Sequence, residues 1–162
     1  MACRLVLEAK YKLGLFADPY KYCDEQRAKT EIFTPANRKA ARVIATESFV
    51  LLKNKNNLLP IKKTGTIALI GPLADAKENM SGTWSVATDI STPISVLQGL
   101  KNALGSNAKV LYAKGSNLDA DSLLEEHATM FGKTLHRDAR SNEVILKEAL
   151  EVAAQSDVIV AA

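Results

Sequence analysis

Short apolar runs alternate along this chain with longer stretches in which apolar residues recur every three or four positions. The continuous runs predict buried β-strands, and the spaced residues predict amphipathic helices. Predicted strands cover residues 48–52, 66–70, 109–112 and 157–162; predicted helices cover about 4–13, 34–47, 92–104 and 122–130, with another from 141. Strands that alternate with helices in this way are typical of an α/β fold, with a mostly parallel sheet between helices on both faces.

Local sequence signals set the predicted helix ends. Thr34 and Thr92 each stand before a proline, which suits the N-cap and first position of a helix. Gly105 follows an apolar helical stretch and predicts its end. Ser122 and Glu125 have the spacing of a capping box, in which each side chain bonds the other's backbone N–H.

The two ends of the chain carry apolar surface with no obvious cover. The first predicted helix has an apolar face around Leu5, Leu13 and Phe16, yet no strand precedes it. The last predicted strand, 157–162, is followed by no helix or neighbouring strand. We therefore expect a fragment that runs from late in one domain to the middle of the next, and we expect self-association through the uncovered faces.

Composition excludes several functional classes. Of the 162 residues, 47% are apolar and 24% charged, and the net charge is only +3, so we expect no nucleic-acid partner. No apolar run approaches the ~20 residues that span a bilayer, and we expect no membrane partner. The N-terminal residues lack a signal-peptide pattern. Cys3 and Cys23 match no zinc spacing, so no metal or other cofactor is predicted.

The stretch GTIALIGPLADAKENMSGTWS, residues 65–85, holds the candidate chemistry. A glycine directly after a buried strand can open a phosphate-binding loop. Here, however, Gly71 is followed by Pro72, which lacks the N–H that an anion would need. The next glycine is Gly82, so the glycine spacing of nucleotide loops is missing. These two features argue against a nucleotide site.

Trp84, the only tryptophan, offers a different ligand chemistry in the same stretch. An exposed indole beside Gly82 could stack on a sugar ring, and the carboxylate of Asp75 could accept hydrogen bonds from the sugar hydroxyls. The alternative is that Trp84 covers the hydrophobic core. Composition alone favours the core role, because tryptophans are mostly buried.

A set of short motifs occurs along the chain in a fixed order. The motifs are Lys12-Leu-Gly-Leu-Phe16, Asp18-Pro-Tyr20, Ala45-Thr-Glu-Ser48, Leu51-Leu-Lys-Asn54, Leu58-Leu-Pro-Ile61, Ile67-Ala-Leu-Ile-Gly-Pro72, Ala74-Asp75, Gly82-Thr-Trp84 and Tyr112-Ala-Lys-Gly115. Together, and in this order, they resemble family 3 glycoside hydrolases, and most closely their periplasmic β-glucosidase branch in Gram-negative bacteria. The match covers nearly the whole chain, and it is the order of the set that is specific.

The resemblance implies a fold and a division into domains. In that family a (β/α)8 barrel is followed by a linker and an α/β/α sandwich. Residues 1–20 would then be the last helix and exit of the barrel, residues 21–36 the linker, and residues 37–162 the truncated N-terminal part of a three-layer sandwich. The resemblance also implies a periplasmic location for the parent protein.

The same resemblance implies an activity whose catalytic groups lie elsewhere. Family 3 enzymes are retaining β-glycosidases with an aspartate nucleophile and, in most members, a glutamate acid/base. Both would lie outside this chain, so no catalytic residue is assigned and the chain alone is expected to be inactive. The implied partner is an oligosaccharide or β-glucoside. Trp84, Gly82 and Asp75 are the predicted substrate-binding residues, although Thr83 separates the glycine and tryptophan that are adjacent in some relatives.

The remaining polar clusters are interpreted as surface. Glu125 and Glu126 are neighbours in a polar stretch, and adjacent helix residues do not face one another, so a solvated face is predicted. His127 and His136 are interpreted as surface histidines. A non-catalytic, flavodoxin-like binding or interaction module is the alternative function, and it would need a self-contained fold.

Overall fold

A computed structural model describes residues 2–82, 85, 89, 91–127 and 136–162 of the chain. Internal contacts divide the chain into two compact units, Met1–Lys55 and Asn56–Ala162. Among the described residues, no helix is both long enough and apolar enough to cross a lipid bilayer.

The first unit consists of three helices. They are α1, Ala2–Lys12; α2, Arg27–Glu31; and α3, Pro35–Glu47. The predicted start of α3 is confirmed, because the hydroxyl of Thr34 accepts a hydrogen bond from the backbone N–H of Asn37 at 3.1 Å. No residue between 2 and 55 is buried, and Phe16 is 61% exposed. The apolar face of α1 is therefore uncovered within this unit.

The strand predicted at 48–52 is wrong. The chain leaves α3 at Ser48 and continues without regular structure through Leu52, whose side chain is 91% exposed. A strand is stabilised by hydrogen bonds to a neighbouring strand, and within this unit the described residues provide none. An apolar run alone therefore misled the prediction here.

The second unit is built on a parallel three-stranded sheet, as predicted. Its strands are β1, Gly65–Ile70; β2, Ala108–Ala113; and β3, Val158–Ala161. The spatial order is β2-β1-β3, so β1 is central, and Leu69 lies opposite Tyr112 on one side and Val160 on the other. The described residues of this unit form three helices: α4, Val96–Leu104; α5, Ser122–His127; and α6, Asn142–Ala154. A brief 3-10 turn, Lys55–Asn57, spans the division between the two units.

Helices α4 and α6 cover opposite faces of the sheet. Leu97 of α4 packs with Leu69 of β1, while Ala149 of α6 lies on the side of the sheet that carries Ile70. Successive side chains of a strand point to opposite faces, which assigns Leu69 and Ile70 to different layers. Ile145 of α6 is fully buried. The α/β/α layering expected for this part of the chain is therefore present.

Two predicted helix starts in this unit have different outcomes. Ser141 caps α6 as predicted, since its hydroxyl accepts from the N–H of Val144 at 3.4 Å. Helix α4 does not begin at Thr92: its N-cap is Ser95, which accepts from the N–H of Gln98 at 3.1 Å. Its predicted end at Gly105 is confirmed. The Thr-Pro signal was misleading because a tertiary contact of Ser95, described below, fixes the start of this helix.

The capping box predicted at Ser122 and Glu125 is also wrong. Asp121 supplies the cap instead, and its carboxylate accepts from the N–H of Leu123 at 2.9 Å. The side chain of Glu125 points away from this cap and accepts from the N–H of Leu118 at 3.0 Å. Glu125 has the spacing of a capping box, but the N–H of Leu118 and the guanidinium of Arg137 hold its carboxylate instead.

Candidate functional site at the carboxyl edge of the sheet

A cleft of about 200 Å³ lies where β1 and β2 end. Open parallel sheets bind ligands at this edge, because the loops that leave the strands meet there. We call it the carboxyl-edge cleft. It is lined by Pro72, Leu73, Asp75, Ala76, Glu78, Asn79, Tyr112, Lys114, Leu118, Glu125 and His136.

Gly71 is required at the base of this cleft for packing and not for an anion. Its N–H donates to the carbonyl of Ala113 at 3.2 Å, and the N–H of Ala162 donates to the carbonyl of Ile70 at 2.9 Å. A Cβ at Gly71 would lie 1.9 Å from the carbonyl oxygen of Ala162. Glycine therefore lets the ends of β1 and β3 approach each other, which agrees with rejecting a phosphate loop from the sequence.

Asp75 connects the cleft to the start of α4. One of its carboxylate oxygens accepts a hydrogen bond from the hydroxyl of Ser95 at 2.8 Å. Ser95 is 1% exposed and is also the N-cap of α4, and the N–H of Leu97 bonds the carbonyl of Ala74 at 2.9 Å. Asp75 is thus an exposed residue that lines the cleft and has one carboxylate oxygen bonded to the start of α4.

Tyr112 forms part of the floor of the cleft. Its hydroxyl donates to the carbonyl of Gly71 at 3.2 Å. Burial raises the pKa of Tyr112, and the negative charges of Asp75 and Glu148 raise it further. The phenol therefore stays protonated at neutral pH. With its proton donated to Gly71, its oxygen can act as a hydrogen-bond acceptor toward the cleft.

Lys114, just after β2, supplies positive charge to the cleft. Its ammonium group donates to the side-chain oxygen of Asn117 at 3.1 Å and to the carbonyl of His136. Asn117 in turn accepts from the N–H of Asp138 at 2.9 Å and donates to its carbonyl at 3.0 Å. These bonds join the segment after β2 to residues 136–138, which are 20 or so positions further along the chain.

Glu125 is buried, which contradicts the solvated face predicted for it. It is 3% exposed, and one of its oxygens accepts from the N–H of Leu118 at 3.0 Å while the other pairs with Arg137. No local pattern predicts this pairing, because Arg137 lies 12 positions away. A carboxylate buried beside a cleft is a functional signal that only the fold exposes.

The other candidate residues have mixed outcomes. His136 is exposed as predicted, and its Nε2 lies 3.4 Å from a carboxylate oxygen of Glu78. The side chain of His127 lies outside the described residues. Gly82 is exposed, while Trp84 also lies outside the described residues, so its sugar-binding role stays a prediction. In the part of the chain that is described, no three metal-ligating side chains come together.

Asp138 and Arg140 give a testable titration behind the cleft. Hydrogen bonds from the guanidinium of Arg140 lower the pKa of Asp138 to about 2. Because this pKa lies below the ordinary value of about 4, the pair stabilises the fold above that value, and its contribution disappears as the pH falls through about 2. In Arg140→Gln we expect the carboxyl ¹³C resonance of Asp138 to titrate at higher pH.

Asp89 serves as the internal control for this titration. Its pKa is lowered by the hydroxyl of Ser91 and owes nothing to Arg140. Its resonance should therefore titrate identically in both proteins. An unchanged pKa of Asp138 in the variant would show that the ion pair does not form.

Comparison with protein families supports a specific relationship. The family model described as the glycosyl hydrolase family 3 C-terminal domain matches residues 49–162. The periplasmic β-glucosidase of Salmonella typhimurium is 42% identical over 99% of this chain, which corresponds to 21% of that protein. The β-xylosidase of Formosa agariphila is 40% identical over 72% of the chain, or 17% of that protein.

Solved structures give the same picture. The β-glucosidase of Listeria innocua in complex with glucose is similar over 96% of this chain and 18% of its own length, at 31% identity and a TM-score of 0.62. A β-glucosidase of intestinal bacteria involved in saponin metabolism has a TM-score of 0.67, at 28% identity, over 96% of this chain and 22% of its own. The chain thus spans about a fifth of the length of these relatives.

Proposed function

The chain belongs to glycosyl hydrolase family 3, and from this membership we propose that it is part of a longer, retaining β-glycosidase that releases terminal sugars from β-linked oligosaccharides. Its relatives named β-glucosidase and β-xylosidase are both well over 30% identical to it, which supports a β-glucoside or β-xyloside as substrate. The name of the Salmonella relative supports a periplasmic location.

The proposal assigns parts of this chain to domains of the longer protein. We propose that residues 1–20 end the barrel of the longer protein, residues 21–36 form a linker and residues 37–162 begin the sandwich domain. The nucleophile and the acid/base lie outside these residues. Glu125 does not replace the acid/base, because one of its oxygens is held by Leu118 N–H and the other by Arg137.

The carboxyl-edge cleft carries the proposal that this chain provides a sugar-facing surface. Asp75 and Glu78 present carboxylate oxygens that can accept from sugar hydroxyls, and Lys114 presents an ammonium donor. The loop between β1 and α4 contains Gly82 and Trp84, and it begins at the cleft. Mixed acceptors and donors suit a neutral, hydroxyl-rich ligand better than an anion, which the two carboxylates would repel.

A non-catalytic binding module is the second candidate. The strand order β2-β1-β3 is also the order in which a flavodoxin-like sheet begins. Such a module would bind its ligand without help from a barrel. It predicts that the isolated chain binds sugar and that no β-glycosidase activity accompanies the complete protein.

The deciding experiment compares the complete protein with this 162-residue chain. We expect the complete protein to hydrolyse aryl β-glucosides or β-xylosides, with the β-anomer as the first product by ¹H NMR, because a retaining mechanism passes through two inversions. The chain alone should give no turnover. Turnover by the chain alone, or α-anomer as first product, would contradict the proposal.

Trp84 provides the matched test of the sugar-facing surface. In the complete protein, Trp84→Ala should raise KM about tenfold through loss of ring stacking, while Trp84→Phe should retain most of the affinity. Equal KM values for the wild type and Trp84→Ala would remove Trp84 from the substrate-binding surface.

A further inference from the structure

We propose that the Glu125–Arg137 pair is a positioning element that sets the sugar affinity of the carboxyl-edge cleft by fixing one of its walls. This inference rests on the proposed glycosidase function. Neither residue is assigned a role in bond cleavage.

The pair ties together three parts of the chain that are separate in sequence. Glu125 belongs to α5 and accepts from the N–H of Leu118 at 3.0 Å. Arg137 donates to the other oxygen of Glu125, to the carbonyl of Asp119 at 2.9 Å and to the carbonyl of Ala120 at 3.3 Å. A planar guanidinium suits such a junction, because it offers several donors in a fixed arrangement.

These linked segments form one wall of the cleft. Leu118, Glu125 and His136 all line the cleft. Glu125 belongs to the pair, the N–H of Leu118 is bonded by Glu125, and His136 directly precedes Arg137. Lys114 strengthens the same wall through its bond to the carbonyl of His136. The facing wall follows β1 and is held separately, by the hydrogen bond between Asp75 and Ser95. The cleft is therefore bounded by two walls with separate anchors, which also meet where His136 Nε2 lies 3.4 Å from a carboxylate oxygen of Glu78.

The carboxylate of Glu125 is held within the junction. It is 3% exposed, and both of its oxygens are engaged. The side chain of Arg137 is 31% exposed, so the ion pair sits at the boundary between the interior and the cleft. Removing only Arg137 would leave a buried, uncompensated carboxylate, which destabilises strongly, whereas replacing both partners by apolar residues is often tolerated.

Because the single and the double replacement differ in their cost to stability, the effect of the pair on the fold can be separated from its effect on the cleft wall. In the complete protein we compare wild type, Arg137→Gln and the double variant Glu125→Leu with Arg137→Leu. The double variant should melt close to the wild type, because it buries no unpaired charge. It should nevertheless lose the bonds that place Leu118 and His136. We expect KM for an oligosaccharide to rise about tenfold with kcat within about twofold, since sugar contacts need sub-ångström placement.

Arg140→Gln is the matched control. Like Arg137→Gln, it removes one guanidinium charge, but three positions further along the chain and from a pair that does not line the cleft. It should leave both KM and kcat unchanged. A second readout is hydrogen exchange at the N–H of Leu118, which should be faster in the double variant and unchanged in Arg140→Gln, because only the former lacks the acceptor.

Each outcome has a separate meaning. A folded double variant with wild-type KM would overturn the positioning role while leaving the glycosidase proposal intact. The same KM increase in Arg140→Gln would also overturn it, because loss of a guanidinium outside the pair would then be enough to weaken sugar binding. If the wild-type complete protein hydrolyses no β-glycoside, the proposed function is wrong, and the inference that depends on it falls with it.

Discussion

Replacing Leu69 by alanine should lower the free energy of unfolding by about 2–5 kcal/mol. Leu69 is fully buried in the central strand, opposite Tyr112 and Val160, and packs against Leu97 of α4. Truncation removes apolar contacts and leaves a cavity that strand β1, hydrogen-bonded on both sides, cannot easily close. Urea denaturation followed by circular dichroism measures the change.

Leu146→Ala is the control for this prediction. It makes the same chemical change on α6, at a side chain that is 53% exposed. Exposed substitutions of this kind usually alter stability by no more than about 0.5 kcal/mol. Equal losses at the two positions would mean that Leu69 is not in the core.

The second large effect is expected at the base of the cleft. Gly71→Ala should destabilise the sheet by about 2–3 kcal/mol, because the new methyl group would lie 1.9 Å from the carbonyl oxygen of Ala162. The obstructing atom belongs to the backbone, so no side-chain rotation can relieve the clash. Either the end of β3 or the loop after β1 must move, and that loop carries the cleft residues Pro72 and Asp75.

Gly82→Ala is the matched substitution in open space. A Cβ at Gly82 would meet no atom within 4 Å among the described residues. Its effect on thermal unfolding should therefore stay within the small range of surface changes, about 0.5 kcal/mol. A Gly71→Ala protein that unfolds at the wild-type temperature would show that β1 and β3 do not end in close contact.

The two glycines of the stretch 65–85 differ in what surrounds them. Gly71 is fixed by packing between strand ends, and the chain beyond it forms the edge of a cleft. In a longer β-glycosidase, as proposed, catalytic carboxylates elsewhere would act on a sugar that this edge helps to hold. The stability of the sheet and the shape of the carboxyl-edge cleft are therefore linked through one short turn.

The elements that the sequence predicted well are those decided by local physics. The side chains of Thr34 and Ser141 bond backbone N–H groups three residues away, so their helix starts could be recognised without any tertiary information. The strands β1, β2 and β3 were apparent because a buried parallel strand is apolar throughout. The ordered motifs also led to the correct family.

The errors have one physical origin: at each of these positions the structure depends on residues that are distant in the sequence. Residues 48–52 have the apolar composition of a strand, but a strand needs a neighbour. Helix α4 starts at Ser95 because Asp75, 20 positions earlier, bonds its hydroxyl. Glu125 had the spacing of a capping box and the surroundings of a solvated face, yet Arg137 and Leu118 N–H hold it in the interior.

The sequence by itself determined the alternation of strands and helices and the family, and the sugar-binding role of Trp84 stays a prediction. The alternation and the family follow from periodicity, caps and ordered motifs, which depend on neighbouring residues. Only the tertiary structure decided that Gly71 is a packing glycine, that Asp75 bonds Ser95 while lining the cleft, and that Glu125 is buried. Each of these depends on atoms brought together from positions 12 to 91 residues apart, and that proximity is created by the fold alone.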